Sequence, residues 1–290
     1  MSEHDPITIL ERLAADRERN LGAEHPDALA ARYNLANAYQ AAGRSDDAIA
    51  IFEPLLATLE RILGAEHVNT LRARGNLAGA YQAAGRAGDA IEILEQLLVD
   101  RDRVLGAEHP DTLAGRGNLA NAYESVGRTP DAIAILEPLL ADHERVLGPE
   151  HLNTLVTRGN LANAYQAAGR AADAIEIYEP LLDDHQRTVG TEHPNTLRTR
   201  NNLANAYLDA GRIDDAITIL EPLVADRDRI LGAEHPDTLA SRGTLASAYQ
   251  AAGRDEEASA LYEPLLADLE KSAGGTEAAD PGDDLWDDGD

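Results

Sequence analysis

The chain has 290 residues, 43% of them hydrophobic but only 4% aromatic, and its 52 acids against 25 bases give a formal charge of −27. That charge repels nucleic-acid phosphates and anionic lipid, whose affinity for proteins rests on neutralising negative charge, so neither nucleic acid nor membrane is expected as a partner. The absence of cysteine excludes disulfides, thiolate nucleophiles and cysteine-based metal sites; a charged start without an apolar signal core, and no apolar run able to span a bilayer, point to a cytoplasmic protein.

Residues 6–21 place Ile7, Leu10 and Leu13 at helical spacing. They align with the second helix of the hairpins that follow and have no first helix before them, so 1–21 is expected to be an unpaired B-type half repeat with an apolar face bare at the end of the array. Self-association through such an end is one expectation that follows. From Gly22 a period of 42 residues sets in, marked by Gly22, Gly64, Gly106, Gly148, Gly190 and Gly232 without insertion or deletion, which gives six repeats over 22–271.

Within a repeat, the stretch from Asp27 puts Leu29, Leu35, Ala36, Tyr39 and Ala42 on one side of a helix A, with Gly43 to end it in a left-handed conformation. Ala48, Ile49, Phe52, Leu55, Leu59 and Ile62 then recur at spacings of three and four in a helix B, with Ser45 or Asp46 expected as N-cap and Gly64 as the stop. Pro26, Pro110, Pro194 and Pro236 suit the first turn of the next helix A. Pro54, Pro138, Pro180, Pro222 and Pro264 fall inside helix B, where a bend compensated by packing is expected, and Gln96 takes that place in one repeat. After Lys271 the periodicity stops; 272–290 is Gly-rich, acidic and without a base, the composition of a disordered tail, and it holds the sole tryptophan, Trp286.

Leu35, Ala36, Tyr39, Ala48 and Phe52 stand at the spacings of small and aromatic residues in the tetratricopeptide repeat. The L-G-x-x-H-P segment, the N-N-L-A run at 201–204 and the G-R turn resemble the 42-residue repeats of kinesin light chain and related bacterial arrays. This resemblance, over about residues 5–271, implies an all-α tetratricopeptide-repeat superhelical solenoid of antiparallel helix pairs. It implies a scaffold or adaptor in protein–protein interaction that grips an extended peptide on a concave face lined by A helices. The alternative it carries is a sensor or regulatory array acting with a signalling ATPase, since similar bacterial arrays are joined to such modules.

Helix A repeats an Asn at Asn34, Asn76, Asn118, Asn160 and Asn202, with Asn201 beside the last, and a second Asn three residues on at Asn37, Asn121, Asn163 and Asn205. Spacing of three puts both on one face. Such a row can bond a peptide backbone whatever its side chains, or can bond adjacent repeats. Gly75, Gly117, Gly159 and Gly243 precede the first Asn position and would weaken the helix unless space were required there, as in pockets for ligand side chains. Arg72 and Arg198 stand where other repeats have Ala or Val; the resemblance makes that position face the groove and makes them clamps for an acidic ligand. Arg32, Arg74, Arg116, Arg158, Arg200 and Arg242, with Glu53, Glu95, Glu137, Glu179, Glu221 and Glu263, are expected to pair as a structural ladder that fixes the stacking register. The six recurring histidines, from His25 to His235, lack local metal-ligand spacing, and no nucleophile stands with its base in any repeat, so no metal, cofactor or catalysis is expected. Leu285, Trp286 and Asp287 resemble the tryptophan-acidic cargo motifs that kinesin light chain repeats bind. That likeness implies self-recognition, with Trp286 docked near Arg198 in its own chain or a neighbouring copy.

Overall fold

A computed structural model of the protein describes residues 5–262. The tail with Leu285, Trp286 and Asp287, and also Glu263 and Pro264, lies outside the described residues. Two compact units divide the chain, Met1–Ala168 and Gly169–Asp290. The first holds α1 (Pro6–Leu21), α2 (Pro26–Ala41), α3 (Ser45–Leu63), α4 (Val68–Ala83), α5 (Ala87–Leu105), α6 (Pro110–Ser125), α7 (Thr129–Val146) and α8 (Leu152–Ala167). The second holds α9 (Ala171–Thr188), α10 (Pro194–Asp209), α11 (Ile213–Leu231) and α12 (Pro236–Ala251), followed by helical residues 255–262. Every described element is a helix. Even-numbered helices are of type A and odd-numbered ones of type B.

Each A helix starts at a histidine. Nδ1 of His25 accepts the backbone N–H of Asp27 at 3.2 Å, and His67, His109, His151, His193 and His235 cap their helices in the same way. The recurring histidine thus satisfies one of the donors that a helix start leaves bare. The far end closes in a Schellman turn: Gly43, at φ 73°, lets its N–H reach the Gln40 carbonyl and that of Arg44 reach the Tyr39 carbonyl.

Helix B begins differently from the sequence expectation. Arg44, not Ser45 or Asp46, is the N-cap, and no side chain caps the turn; Asp46 and Asp47 in the first turn complement the helix dipole instead. The Arg44 guanidinium turns back over the Tyr39 ring, 4.3 Å from its centroid, while Nε donates to Asp47 at 2.7 Å.

The helices run on through Pro54, Pro138, Pro180 and Pro222. These prolines are exposed, as are Ala50, Ala134, Glu176 and Thr218 four residues earlier, whose carbonyls lose the N–H partner. The lost bond therefore stands on the water side of the helix, where solvent replaces it, rather than being compensated by packing.

The core is made of small and branched residues packed between consecutive helices. Ala28, Ala36, Ala48, Phe52 and Leu55 are wholly buried in the first hairpin, and Ala78, Ala90 and Leu97 repeat the pattern in the next. The A helices also touch across repeats, α2 with α4, α4 with α6, and α10 with α12. At the start of the first unit, Ile9 and Leu13 of α1 are exposed.

The structural ladder is built from different pairs than the sequence suggested. The Glu of helix B accepts from a tyrosine, not from the repeated arginine: Tyr81 Oη donates to Glu53 at 2.5 Å and Tyr123 Oη to Glu95 at 2.7 Å. The same bond joins Tyr39 to Glu11, Tyr165 to Glu137, Tyr207 to Glu179 and Tyr249 to Glu221. The arginine of helix A bonds acids at other positions. Arg74 donates to Glu60 of α3 and, at 2.7 Å, to Asp100 of α5; Arg116 repeats this with Asp102 and Asp142. The guanidinium has the reach to bridge the B helices on both sides, which the shorter span of a single Arg–Glu pair would not do.

Candidate peptide groove

The A helices of the first unit carry most of the predicted site residues, and the amides bond one another between repeats. Asn76 Nδ2 donates to Asn37 Oδ1 at 2.7 Å and to Tyr33 Oη at 2.8 Å; Asn160 Nδ2 donates to Asn121 Oδ1 at 3.3 Å. The first pair spends both N–H groups of Asn76 but leaves Asn76 Oδ1 and the amide nitrogen of Asn37 open, and the second leaves Asn160 Oδ1 and the amide nitrogen of Asn121. Each pair thus keeps an acceptor and a donor for something outside the protein. Asn34 and Asn118 are exposed, as are Asn163 and Arg72.

In the second unit the predicted residues divide. Asn201 Oδ1 accepts from Arg227 Nη1 and Ser241 Oγ, both at 3.3 Å, and so is taken up in the packing of α10, α11 and α12. Asn202 hydrogen-bonds the hydroxyl of Tyr178, whose pKa burial pushes up to about 12 although that bond and Arg198 pull it back. Asn205 is half-buried and Arg198 exposed.

What sequence reasoning missed is a set of three positions that change together beneath this surface. They are an A-helix residue, the B-helix residue 26 places on, and the next A-helix residue 14 places further. In the first unit they read Tyr33, Leu59, Ala73; Gly75, Arg101, Gly115; and Gly117, His143, Thr157. In the second unit Asn201, Arg227 and Ser241 form one complete set, and His185 pairs with Thr199.

The sizes compensate. Arg101 is 8% exposed, donates to the carbonyls of Asp111 and Leu71, and fills the space beside both glycines: a Cβ at Gly75 would stand 2.9 Å from its Nη2, and one at Gly115 3.1 Å from its Nη1. Burial and the nearby charge of Arg72 lower its pKa, with Asp111 opposing. Tyr33 needs no such help, since its ring meets Phe52 edge-on at 5.9 Å.

At the third set the space stays open. His143 Nδ1 lies 2.9 Å from Thr157 Oγ1, and burial lowers the pKa of the imidazole, aided by His151 and opposed by Asp142. Above it is a pocket of about 260 Å³ lined by Leu113, Ala114, Gly117, Leu136, Leu139, Val156 and the amides Asn118, Asn121 and Asn160. A Cβ at Gly117 would meet only Leu139, at 3.9 Å. At Gly243 a Cβ would meet nothing within 4 Å. Of the glycines before the Asn position, Gly117 therefore opens onto a pocket, whereas the room at Gly75 serves Arg101. Among the described residues no group of three or more His, Asp or Glu is arranged to hold a metal ion, and no helix is long and apolar enough to cross a membrane.

The sequence of these hairpins matches the tetratricopeptide repeat family over residues 27–99, 111–182, 155–225 and 202–271. The chain belongs to the tetratricopeptide repeat family. Its repeats are of the kinesin-light-chain-like kind. It is 38% identical to the putative kinesin light chain nearly identical TPR-like repeats of Podosopora anserina, with a TM-score of 0.64 over 71% of this chain and 98% of that one. BtubC (BKLC) from P. vanneervenii shares the fold at 21% identity and a TM-score of 0.61, over 97% of this chain and 99% of that one. So does a Signal Transduction ATPase with Numerous Domains protein from Pyrococcus horikoshii that carries a tetratricopeptide repeat sensor. There the identity is 13% and the TM-score 0.66, over 93% of this chain and 42% of that one. No curated protein matches. Tetratricopeptide repeats are in general scaffolds for protein–protein interaction.

Proposed function

We propose that the A-helix face of the first unit binds an extended peptide segment of a partner protein. The observation that carries this reading is the open acceptor and donor left by each Asn pair, Asn37 with Asn76 and Asn121 with Asn160. An extended backbone offers one N–H and one C=O per residue and answers that pattern without regard to its side chains. Arg72, exposed on α4, adds a site for an acidic side chain of the same peptide. Selection of random peptides displayed against the intact chain should yield binders that Asn37→Leu and Asn121→Leu each weaken at least tenfold. Binders indifferent to both substitutions overturn the groove reading. Recovery of folded domains alone would favour the sensor array that works with a signalling ATPase.

In the second unit, Arg198 is proposed as the anchor for the acidic segment around Leu285, Trp286 and Asp287, acting in its own chain or a second copy. The charge of Arg198 and the acids flanking the sole tryptophan support this. Trp286 emission in the intact chain should be blue and protected from quencher and should redden in Arg198→Ala, with dilution separating self from neighbour. A red, freely quenched signal at every concentration overturns it.

A further inference from the structure

Thr157 Oγ1 donates its one proton to the Asn153 carbonyl at 2.9 Å. Toward His143 it is then an acceptor, so the imidazole carries its proton on Nδ1, and Nε2 is left as a bare lone pair. Nε2 has no partner among the described residues, and His143 is part of the pocket's lining. The floor of that pocket is an acceptor set among leucines and a valine.

The first repeat shows what belongs above such a floor. Tyr33 sits at the position of Gly117, its ring against Phe52 and its hydroxyl accepting from Asn76 Nδ2. Two repeats on, Leu136 takes the place of Phe52 and lines the pocket, and Asn160 takes the place of Asn76. Asn160 donates to Asn121, as Asn76 does to Asn37, but its second N–H has no hydroxyl to meet because Gly117 supplies none. The third repeat keeps the amide pair of that setting, holds His143 and Thr157 where the first has Leu59 and Ala73, and lacks the phenol.

We propose that this pocket is a side-chain subsite for a tyrosine of the bound peptide, whose ring fills the space over Leu136 and Leu139 and whose hydroxyl accepts from Asn160 and donates to His143 Nε2. The inference rests on the groove reading for the peptide that brings the tyrosine, and it adds the specificity. A phenol meets both polar groups at once, whereas phenylalanine leaves them unpaired in an apolar setting. A phosphorylated tyrosine would bring an anion to a pocket whose lining includes Glu108.

Small probes isolate the pocket from the groove. With the intact chain labelled for NMR, p-cresol should shift the side-chain amides of Asn121 and Asn160 and the ring of His143. 4-Methylanisole and toluene, which lack the donor or the whole hydroxyl, should bind at least fivefold more weakly. Gly117→Tyr supplies the ring from within: it should fold, melt at a higher temperature and abolish p-cresol binding. His143→Leu with Thr157→Ala copies Leu59 and Ala73 of the first repeat, a pairing the fold already accommodates, and should erase the preference for p-cresol over toluene. Equal binding of the three probes, or p-cresol binding that survives Gly117→Tyr, overturns the proposal. If p-cresol shows the stated preference but peptides do not depend on the amide row, the groove reading fails and the phenol site stands.

Discussion

The Arg101 guanidinium occupies the volume that a side chain at Gly75 would need, with Nη2 2.9 Å from the position of the missing Cβ. Gly75 and Gly243 hold equivalent places in their helices and look alike in sequence, but only the first is spoken for. Alanine in a helix interior gains about 1 kcal/mol over glycine. Gly243→Ala should therefore raise stability by about that amount, whereas Gly75→Ala must displace a buried, bonded Arg101 and should lower it by about 1 to 2 kcal/mol. Urea unfolding of the two single variants reads the difference directly, and equal shifts would contradict the packing described.

Asp100 is 7% exposed and accepts from Arg74 at 2.7 Å and Arg103 at 3.2 Å. Its removal leaves the half-buried Arg74 with Glu60 alone. Asp100→Ala should cost about 2 kcal/mol, while Asp89→Ala, which breaks an exposed contact with Arg86 within one turn, should destabilise far less, because solvent screens that pair. Chemical denaturation of both variants is the check.

The tyrosine bonds predict alkaline sensitivity. Burial first, then the carboxylates of Glu53, Glu95 and Glu179, push the hydroxyls of Tyr81, Tyr123 and Tyr207 up to about 12. In the unfolded chain a tyrosine ionises near pH 10. The contribution of these groups is thus fully present below pH 10 and is lost as pH rises towards 12. Thermal melts across that window should fall steeply, and Tyr123→Phe should be less stable at pH 8 yet fall less between pH 10 and 12.

Acid acts through the other histidines. Burial depresses the pKa of His143, with His151 adding to the effect and Asp142 opposing it; His185 is depressed in the same way, with Arg198 and His193 adding and Asp184 opposing. A base whose folded pKa lies below its unfolded value of about 6.5 contributes stability that is present above that value and lost as pH falls through the folded one. Stability should be level from pH 8 to 7 and decline below about 6. The pair of substitutions His143→Leu and Thr157→Ala should flatten part of that decline.

The hairpins, their turns and the end of helix A at Gly43 were legible in the sequence because a six-fold period exposes them. The polar pairings were less so. Tyr123 and Glu95 stand 28 residues apart, and Arg74 reaches two different B helices. A period shows that such residues matter without saying which touch, since the recurring tyrosine, arginine and acids all come back at the same interval. The histidine caps were hidden because Ser, Asp and Asn dominate that role and Pro26 already accounted for the helix start. The pocket was hidden for the opposite reason. It lies where the repeats differ, at Gly117 and His143, and only the placement of Tyr33 and Arg101 shows that these substitutions belong to one site.

The Tyr–Glu bond recurs in the described repeats with the same partners and nearly the same length. If the chain were pulled at its ends, that bond would give no repeat a distinct breaking force. The order of rupture would instead follow the sets that vary, an apolar Leu59 against Ala73, a buried Arg101 between two glycines, a His143 beneath an open pocket. A molecule seated over His143 would make that hairpin among the last to yield, so occupancy would be written into the sequence of force steps along the chain.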